Sequence, residues 1–167
     1  NDVTTSNENA ANATFTVTMS TSSSSTVTVD YATSNGTATA SSDYTSSSGT
    51  LTFSAGDTSK TFTVPVLADN VYEGDETVTV TLSNASNASI SDNTGILTIT
   101  DDENAPTVTL TTSATSVAEN GSDLTLTATL SGSTDEAVTV VLSSSGTSTE
   151  GSDYTTLSNI SSGSGGH

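Results

Sequence analysis

The sequence contains no cysteine and almost no basic residues. Among its 167 residues there is no Arg, Lys60 is the one lysine, and the one histidine is His167. The absence of Cys excludes disulfides, thiolate metal sites and a Cys nucleophile. The formal net charge is −18, which excludes a nucleic-acid partner, because such binding depends on Lys and Arg neutralising phosphates. Binding to anionic membranes is disfavoured for the same reason.

Long apolar segments are also missing. No apolar run approaches the roughly 20 residues that a membrane span requires, so we expect no membrane insertion. No charged-then-apolar signal segment opens the chain, so we expect a soluble mature region or an excised fragment. A composition without Cys, with few Lys and abundant Ser, Thr and Asn, is typical of bacterial surface proteins. We therefore expect an extracellular or cell-surface location.

Few side chains are available for catalysis. With the histidine at the last position, the possible acid and base groups are carboxylates and tyrosines, which leaves mainly glycosidase-type or metal-dependent hydrolysis. Glu73 and Glu76 could form a glycosidase pair, but Trp is absent and aromatic residues make up 4% of the chain. We expect that the protein is not an enzyme.

Hydroxyl residues dominate what is present: 37 Thr and 32 Ser. Apolar residues alternate with Thr, and this period of two predicts β-strands with Thr on the outer face and apolar residues in a narrow core. Pro65 marks its run as an edge strand or a bulge, because Pro cannot donate a ladder hydrogen bond. Short alternating runs separated by turn residues are typical of an all-β sandwich or barrel. The predicted strands include Phe15–Met19, Val27–Tyr31, Leu51–Phe53, Phe62–Val66, Val78–Leu82 and Leu97–Ile99.

The chain contains an internal repeat. The segment from Glu8 to Ser20 aligns without gaps on the segment from Glu119 to Ser131, an offset of 111 residues. After one deletion, Ser42-Asp-Tyr-Thr aligns on Ser152-Asp-Tyr-Thr. We predict a first domain at residues 1–103, a linker at 104–106 and a second copy at 107–167. The second copy lacks counterparts of residues 62–99, so we expect it to be the N-terminal half of a domain.

Acidic residues collect at a few turns rather than along the strands. They are Glu8, Asp43, the loop from Asp69 to Glu76, and the closing Asp101-Asp-Glu103. Alternate turns of an antiparallel sandwich share an end, so several of these carboxylates can converge. Converging carboxylates repel one another unless a cation lies among them, and Ca²⁺ accepts 6 to 8 oxygen ligands in flexible geometry. Asp57 and Asp75 are better explained as turn acids that are either solvated or bonded to backbone N–H groups.

These residues resemble the Calx-beta family of calcium-binding β-sandwich modules. The matching features are the Glu-Asn near the start of each copy, Ser-Asp-Tyr before a strand, Asp69-x-x-x-Glu-Gly-Asp-Glu-Thr, and the strand that ends in Asp101-Asp-Glu103. The resemblance implies an antiparallel immunoglobulin-like sandwich. It also implies a Ca²⁺ site whose candidate ligands are Glu8, Asp43, Asp69, Glu73, Glu76, Asp101, Asp102 and Glu103. Ala68-Asp69 and Glu103 depart from the family pattern, which leaves the number of ions and the affinity open. Glu119 and Asp153 match in the second copy, where we expect no complete site.

The resulting functional hypothesis is a non-enzymatic, calcium-rigidified spacer or stalk in a surface adhesin or filament. Its closing ligands adjoin the linker, so calcium would stiffen the junction with the adjacent repeat. An alternative is homotypic self-assembly through strand addition between subunits, because a half domain exposes strand edges. A third hypothesis is a Thr-rich surface that binds a ligand or ice.

Overall fold

The computed structural model describes residues 2–5, 7–9, 12–119, 121, 123–149, 152–153 and 160–161. The chain divides into two compact units at the bond between Asp102 and Glu103. Within the described residues, no helix is long and apolar enough to cross a membrane.

Strands form nearly all the regular structure of the first unit. Each run in which apolar residues alternate with Thr lies in a strand, as the sequence predicts. The strands are β1 (Val3–Thr4), β2 (Asn12–Thr18), β3 (Val27–Asn35), β4 (Ser48–Phe53), β5 (Ser59–Pro65), β6 (Val71–Tyr72), β7 (Glu76–Ser86) and β8 (Thr94–Ile99).

Seven of the eight strands of the first unit form two sheets. One has five strands in the order β1-β8-β7-β3-β4, and the other consists of β2 and β5. All neighbours pair antiparallel except β1, which pairs parallel to β8, with Val3 opposite Leu97. Pro65 lies at the end of β5, opposite Asn12. In a two-stranded sheet the backbone of each strand has one side without a partner strand, so this position tolerates Pro.

The core lies between the two sheets and is made by the inward residues of the alternating runs. On β2, for example, Ala13 and Phe15 are buried while Thr14 and Thr16 are exposed. The Phe62 ring stacks on Phe15, with centroids 5.3 Å apart, and on Tyr31, with centroids 4.0 Å apart. The buried apolar side chains are Ala13, Phe15, Val27, Val29, Ala38, Tyr44, Leu51, Phe53, Phe62, Val64, Val66, Val78, Val80, Leu97 and Ile99.

The second unit has less regular structure. Its strands are β9 (Val108–Thr112), β10 (Leu126–Leu130), β11 (Ser133–Thr134), β12 (Thr139–Val140) and β13 (Ile160–Ser161). β9 pairs with β10, and β12 pairs with β13, both antiparallel. Among the residues of this unit whose side chains the structure describes, none is fully buried. The large apolar side chains that are exposed in the described part of the chain all lie in this unit, and they include Val108, Leu110 and Val141.

A local turn shows the sequence repeat in three dimensions. In the first unit Asp43 Oδ2 accepts the backbone N–H of Thr39 at 2.5 Å, and the Asp43 N–H donates to Thr39 O at 3.0 Å. In the second unit Asp153 makes the same two bonds with Thr149, at 2.7 and 2.9 Å. The two copies thus use the same Asp-closed turn. Tyr154, the counterpart of buried Tyr44, lies outside the described residues.

Candidate metal centre

The predicted acidic ligands lie at one end of the first sandwich. β2 begins opposite the end of β5, and β7 begins opposite the end of β8, with Glu76 paired to Ile99. The loops that contain the acids adjoin these strand ends, because strand direction alternates from one neighbour to the next. We call this part of the first unit the acidic end. The carboxylates there form two groups of three.

The first group contains Glu8, Asp102 and Glu103. One carboxylate oxygen from each residue lies within 4.8 Å of the other two. Glu8 is 6% exposed, and its Oε1 and the Oε2 of Glu103 are buried oxygen atoms. The side-chain amide of Asn9 donates to both carboxylate oxygens of Asp102, at 3.0 and 2.8 Å. This bidentate contact holds the closing acids against the segment that precedes β2.

The second group contains Asp43, Glu73 and Glu76, again with one oxygen from each within 4.8 Å of the others. Asp43 is 6% exposed and closes its turn through Thr39. The Asp43 carbonyl also accepts the N–H of Leu67 at 2.9 Å. The turn is therefore fixed to the chain that leaves β5, and β7 presents Glu76 at its first residue.

The other two predicted ligands have backbone contacts that shape the acidic loop. Asp69 Oδ1 accepts the N–H of Val71 at 2.7 Å. Asp101 Oδ2 accepts the N–H groups of Glu73 at 3.0 Å and Gly74 at 2.6 Å. Neither residue belongs to a group of three carboxylates among the described residues. Asp101 instead ties the end of β8 to the loop that presents Glu73.

No lysine or arginine is available to neutralise the acidic end. Lys60 is the one such residue in the chain, and its Nζ lies 2.8 Å from a carboxylate oxygen of Asp57. It lies near the start of β5, whereas the acidic end adjoins the other end of that strand. The hydrogen bond from Lys60, followed by the Ser54 N–H, holds the pKa of Asp57 below its usual value. The acidic end therefore combines close carboxylate oxygens with two buried acids, Glu8 and Asp43, and the one lysine of the chain lies elsewhere. Oxygen-only donor sets of this kind suit a hard divalent cation.

Two residues that support this arrangement, Asn9 and Asn35, were not predicted from the sequence. Asn9 holds Asp102. Asp75, which was predicted to be a turn acid, accepts the N–H of Asp101 through its Oδ1 at 3.2 Å. Asn35, at the end of β3, accepts the hydroxyl of Tyr44 at 2.8 Å and the N–H of Ala40 at 3.1 Å. The Glu-Asn pair at the start of both copies was the available signal for Asn9. Nothing in the local sequence distinguishes Asn35 from the other Asn residues.

The second copy presents its matching acids differently. Glu119 and Asp153 are exposed, whereas Glu8 and Asp43 are buried. Counterparts of the acidic loop and of the closing acids are missing from the sequence. The two groups of three carboxylates found among the described residues include neither Glu119 nor Asp153.

Comparison with known proteins agrees with this architecture. The Calx-beta domain model matches residues 1–103 and again 101–160. The crystal structure of the apo-form Calx CBD1 domain is 30% identical with a TM-score of 0.54, and the match covers 57% of this chain and 86% of that chain. CBD12 from CALX1.2 is 30% identical with a TM-score of 0.56, covering 59% of this chain and 41% of that one.

A third crystal structure, of the calcium binding domain CBD12 of CALX1.1, is 30% identical with a TM-score of 0.54, and the match covers 57% of this chain and 40% of that one. No curated protein matches the chain significantly. The family model thus accounts for most of the sequence, in two successive matches. The chain belongs to the Calx-beta domain family, as a tandem pair of its repeats.

Proposed function

We propose that the first repeat is a calcium-binding module whose ions are held at the acidic end. The observation that carries this proposal is the pair of three-carboxylate groups, each with oxygens within 4.8 Å of one another. Close carboxylates repel one another, and a bound cation offsets that repulsion. The similarity to CBD12 of CALX1.1, which is named a calcium binding domain, supports the same function.

Two sets of residues would hold the ions. Glu8, Asp102 and Glu103 form one, and Asp43, Glu73 and Glu76 form the other. The residues of each set come from segments that are distant in sequence. A cation in the first set would link the chain before β2 to the end of β8, and one in the second set would link the turn after β3 to the acidic loop and the start of β7. Asp101 and Asn9 position these segments through the hydrogen bonds described above. Ca²⁺ suits such sets better than Mg²⁺, because Mg²⁺ demands near-ideal octahedral geometry.

We further propose that the protein is a non-enzymatic spacer in an extracellular or cell-surface protein such as an adhesin or a filament. Tandem repeats, the absence of Cys and the Thr-rich strand surface support this role. The closing ligands Asp102 and Glu103 directly precede the linker at 104–106, so bound calcium would reduce the flexibility of the chain at the start of that linker. Its partners in this role are adjacent repeats of the same protein.

Thermal unfolding of the full chain with and without calcium tests the calcium proposal. A ligand at 100 times its Kd stabilises the folded state by about 2.7 kcal/mol. For a domain of this size each kcal/mol raises Tm by about 4–8 °C. We therefore expect Tm to rise by on the order of 10 °C or more between EDTA and millimolar Ca²⁺, and by much less with Mg²⁺.

Two charge-matched variants sharpen this experiment. Glu76→Gln removes one carboxylate of the second group, so it should reduce the calcium-induced rise in Tm while leaving Tm in EDTA unchanged or higher. The control, Asp92→Asn, removes the same charge from the turn before β8, at the end of that strand that lies away from the site. It keeps an oxygen that can accept the Thr94 N–H. Its calcium response should match that of the parent chain. Equal responses of both variants, or an unchanged parent Tm, would rule the proposal out.

The Thr-rich surface hypothesis has one specific observation behind it. On the outer face of the β2–β5 sheet, Thr14 lies opposite Thr63 and Thr16 opposite Thr61, and all four are exposed. This array is small because the sheet has two strands, and strands twist. Exposed Thr is also the ordinary choice for the outer face of a strand. Calcium binding therefore remains the function that the geometry supports best.

A further inference from the structure

Two strands that are distant in sequence, β1 and β8, lie side by side at one edge of the first unit. β1 is the edge strand of the five-stranded sheet, and it runs parallel to β8, with Val3 opposite Leu97. On its other side, β8 is paired along its whole length with β7. β8 is therefore built into the sheet, whereas β1 joins the sheet through β8.

Hydrogen bonds extend this pairing beyond the two residues of β1 in both directions. Before β1, Asp2 Oδ1 accepts the N–H of Ile96 at 3.0 Å. After β1, the N–H of Thr5 donates to Thr98 O at 3.0 Å. The chain around β1 is thus bonded to β8 at successive points along the strand, and both strands run toward the acidic end.

A buried threonine adds two reciprocal bonds just after β1. Thr5 is 8% exposed, and its Oγ1 accepts the N–H of Thr100 at 3.1 Å. The Thr5 carbonyl in turn accepts the hydroxyl of Thr100, also at 3.1 Å. Hydrogen bonds are stronger where water is excluded, because the local dielectric constant is low. Nearer the acidic end, Asn9 donates to both carboxylate oxygens of Asp102 and joins the same two segments again.

The chain leaves this pair of strands in opposite directions. The residues before Val3 leave β1 beside the start of β8, whereas the residues after Ile99 leave β8 toward the acidic end. Tension along the chain therefore slides β1 and β8 past each other along their common axis. The bonds of a parallel pair are evenly spaced, so in this geometry they bear the load together and must break nearly together. Bonds that are loaded from one end of a pair break one after another instead.

We propose that the β1–β8 pair, with the Thr5–Thr100 and Asn9–Asp102 contacts, is a mechanical clamp that enables the first repeat to bear tension along the chain. Tension passes directly from β1 to β8 and reaches the core strands only after the clamp opens. Resistance to force depends on the barrier to unfolding, and here that barrier includes the bonds of the clamp. The inference extends the spacer role proposed above, because a spacer that joins a surface to a distant partner is pulled along its length.

Calcium would reinforce the clamp, and this part of the inference rests on the calcium-binding function proposed above. The first carboxylate group contains Glu8, which follows β1, and Asp102, which follows β8. A cation held by both would connect the two segments that tension separates. The hydrogen bonds of the clamp need no ion, so the clamp can be tested without calcium.

Single-molecule pulling of the full chain in EDTA tests the clamp. The chain has no Cys, so one introduced Cys defines where force is applied. One handle is attached to the amino terminus, and the other to Ala105→Cys, which lies after β8, or to Asn93→Cys, which lies in the loop before β8. The Ala105→Cys arrangement slides β1 along β8, whereas the Asn93→Cys arrangement separates the two strands from one end. At equal constant force, we expect the folded repeat to survive at least about tenfold longer in the Ala105→Cys arrangement, the factor that one additional hydrogen bond in the barrier gives.

Two matched substitutions in the Ala105→Cys chain locate the clamp. Thr5→Val keeps the shape of the side chain but removes the acceptor of the Thr100 N–H, so the lifetime under force should fall by about tenfold. Thr4→Val makes the same change at an exposed position of β1 and should alter the lifetime by no more than about twofold.

Equal lifetimes in the two pulling arrangements would overturn the proposal, and so would equal effects of the two substitutions. The comparison of arrangements needs no destabilising variant, so it decides the question even if Thr5→Val folds poorly. Millimolar Ca²⁺ should lengthen the lifetime in the Ala105→Cys arrangement. If calcium does not bind, this lengthening is lost while the difference between the arrangements in EDTA remains, so the two proposals fail separately.

Discussion

At the scale of single residues, Asp101 has a structural role that requires no ion. Its Oδ2 accepts two adjacent backbone N–H groups, those of Glu73 and Gly74. Hydrogen bonds to a charged carboxylate are stronger than those between neutral groups. The loop that presents Glu73 is therefore held to the end of β8 before any cation binds.

We expect Asp101→Ala to destabilise the protein in EDTA as well as in calcium. Hydrogen bonds to charged groups contribute about 1.5–3 kcal/mol each, and the N–H groups of Glu73 and Gly74 would lose their acceptor. The free energy of unfolding in EDTA should fall by about 2–3 kcal/mol, measured by urea denaturation. Asp101→Asn keeps an acceptor oxygen and should lose less. If Asp101→Ala matched the parent chain in EDTA, the loop would not depend on this residue.

The candidate site could be predicted from the sequence only in part. Residue type and turn position identified the acids, and six of the eight candidates lie in the two carboxylate groups. Asp69 and Asp101 accept backbone hydrogen bonds, whereas Glu73 and Glu76 belong to a carboxylate group. The sequence could not show this difference, because all four are acids at predicted turns or strand ends. That distinction depends on which backbone N–H groups the fold brings near each carboxylate.

At the scale of elements, the turn between β4 and β5 contains the ion pair of Asp57 and Lys60. Lys60 bonds the Asp57 carboxylate, whose pKa is thereby lowered in the folded protein. The unfolded chain therefore takes up this proton at a higher pH than the folded protein does. The contribution of the pair is fully present above the ordinary pKa of 3.8 and is lost as pH falls through the folded-state value.

We expect the stability difference between the parent chain and Asp57→Asn to shrink as pH decreases below that ordinary value. Both groups are partly exposed, so the difference should be small at neutral pH. Urea denaturation midpoints measured from neutral pH to acid would follow it. Adding Lys60→Met to the Asp57→Asn chain should cause no further pH-dependent change. A difference that stayed constant across the range would contradict the assignment.

The strands were largely predictable, whereas their pairing was not. Alternation of Thr with apolar residues located β2, β3, β4, β5, β7 and β8, because each has one face in the core. β1 has two residues, too few to show a period, so neither the strand nor its parallel pairing with β8 could be predicted. The division into five-stranded and two-stranded sheets also depends on contacts between distant segments.

At the scale of the whole molecule, the two units differ in how much apolar surface they bury. Every buried apolar side chain among the described residues lies in the first unit, on strands β2 to β8 or in the loops between them. In the second unit, the apolar side chains that the structure describes are half-buried or exposed. Burial of apolar surface is the main favourable term in folding, so the units should differ greatly in their resistance to local opening.

Hydrogen exchange of the full chain measures this difference. Amides of the central strands β3 and β7 should exchange slowest, because opening them requires loss of the core, whereas amides of β9 and β10 should exchange near the rate of an open hairpin. In calcium, protection should increase mainly in the acidic loop and at the end of β8, and remain unchanged in β9 and β10. Equal protection of both units would contradict this difference and would show that the second repeat has a core of its own.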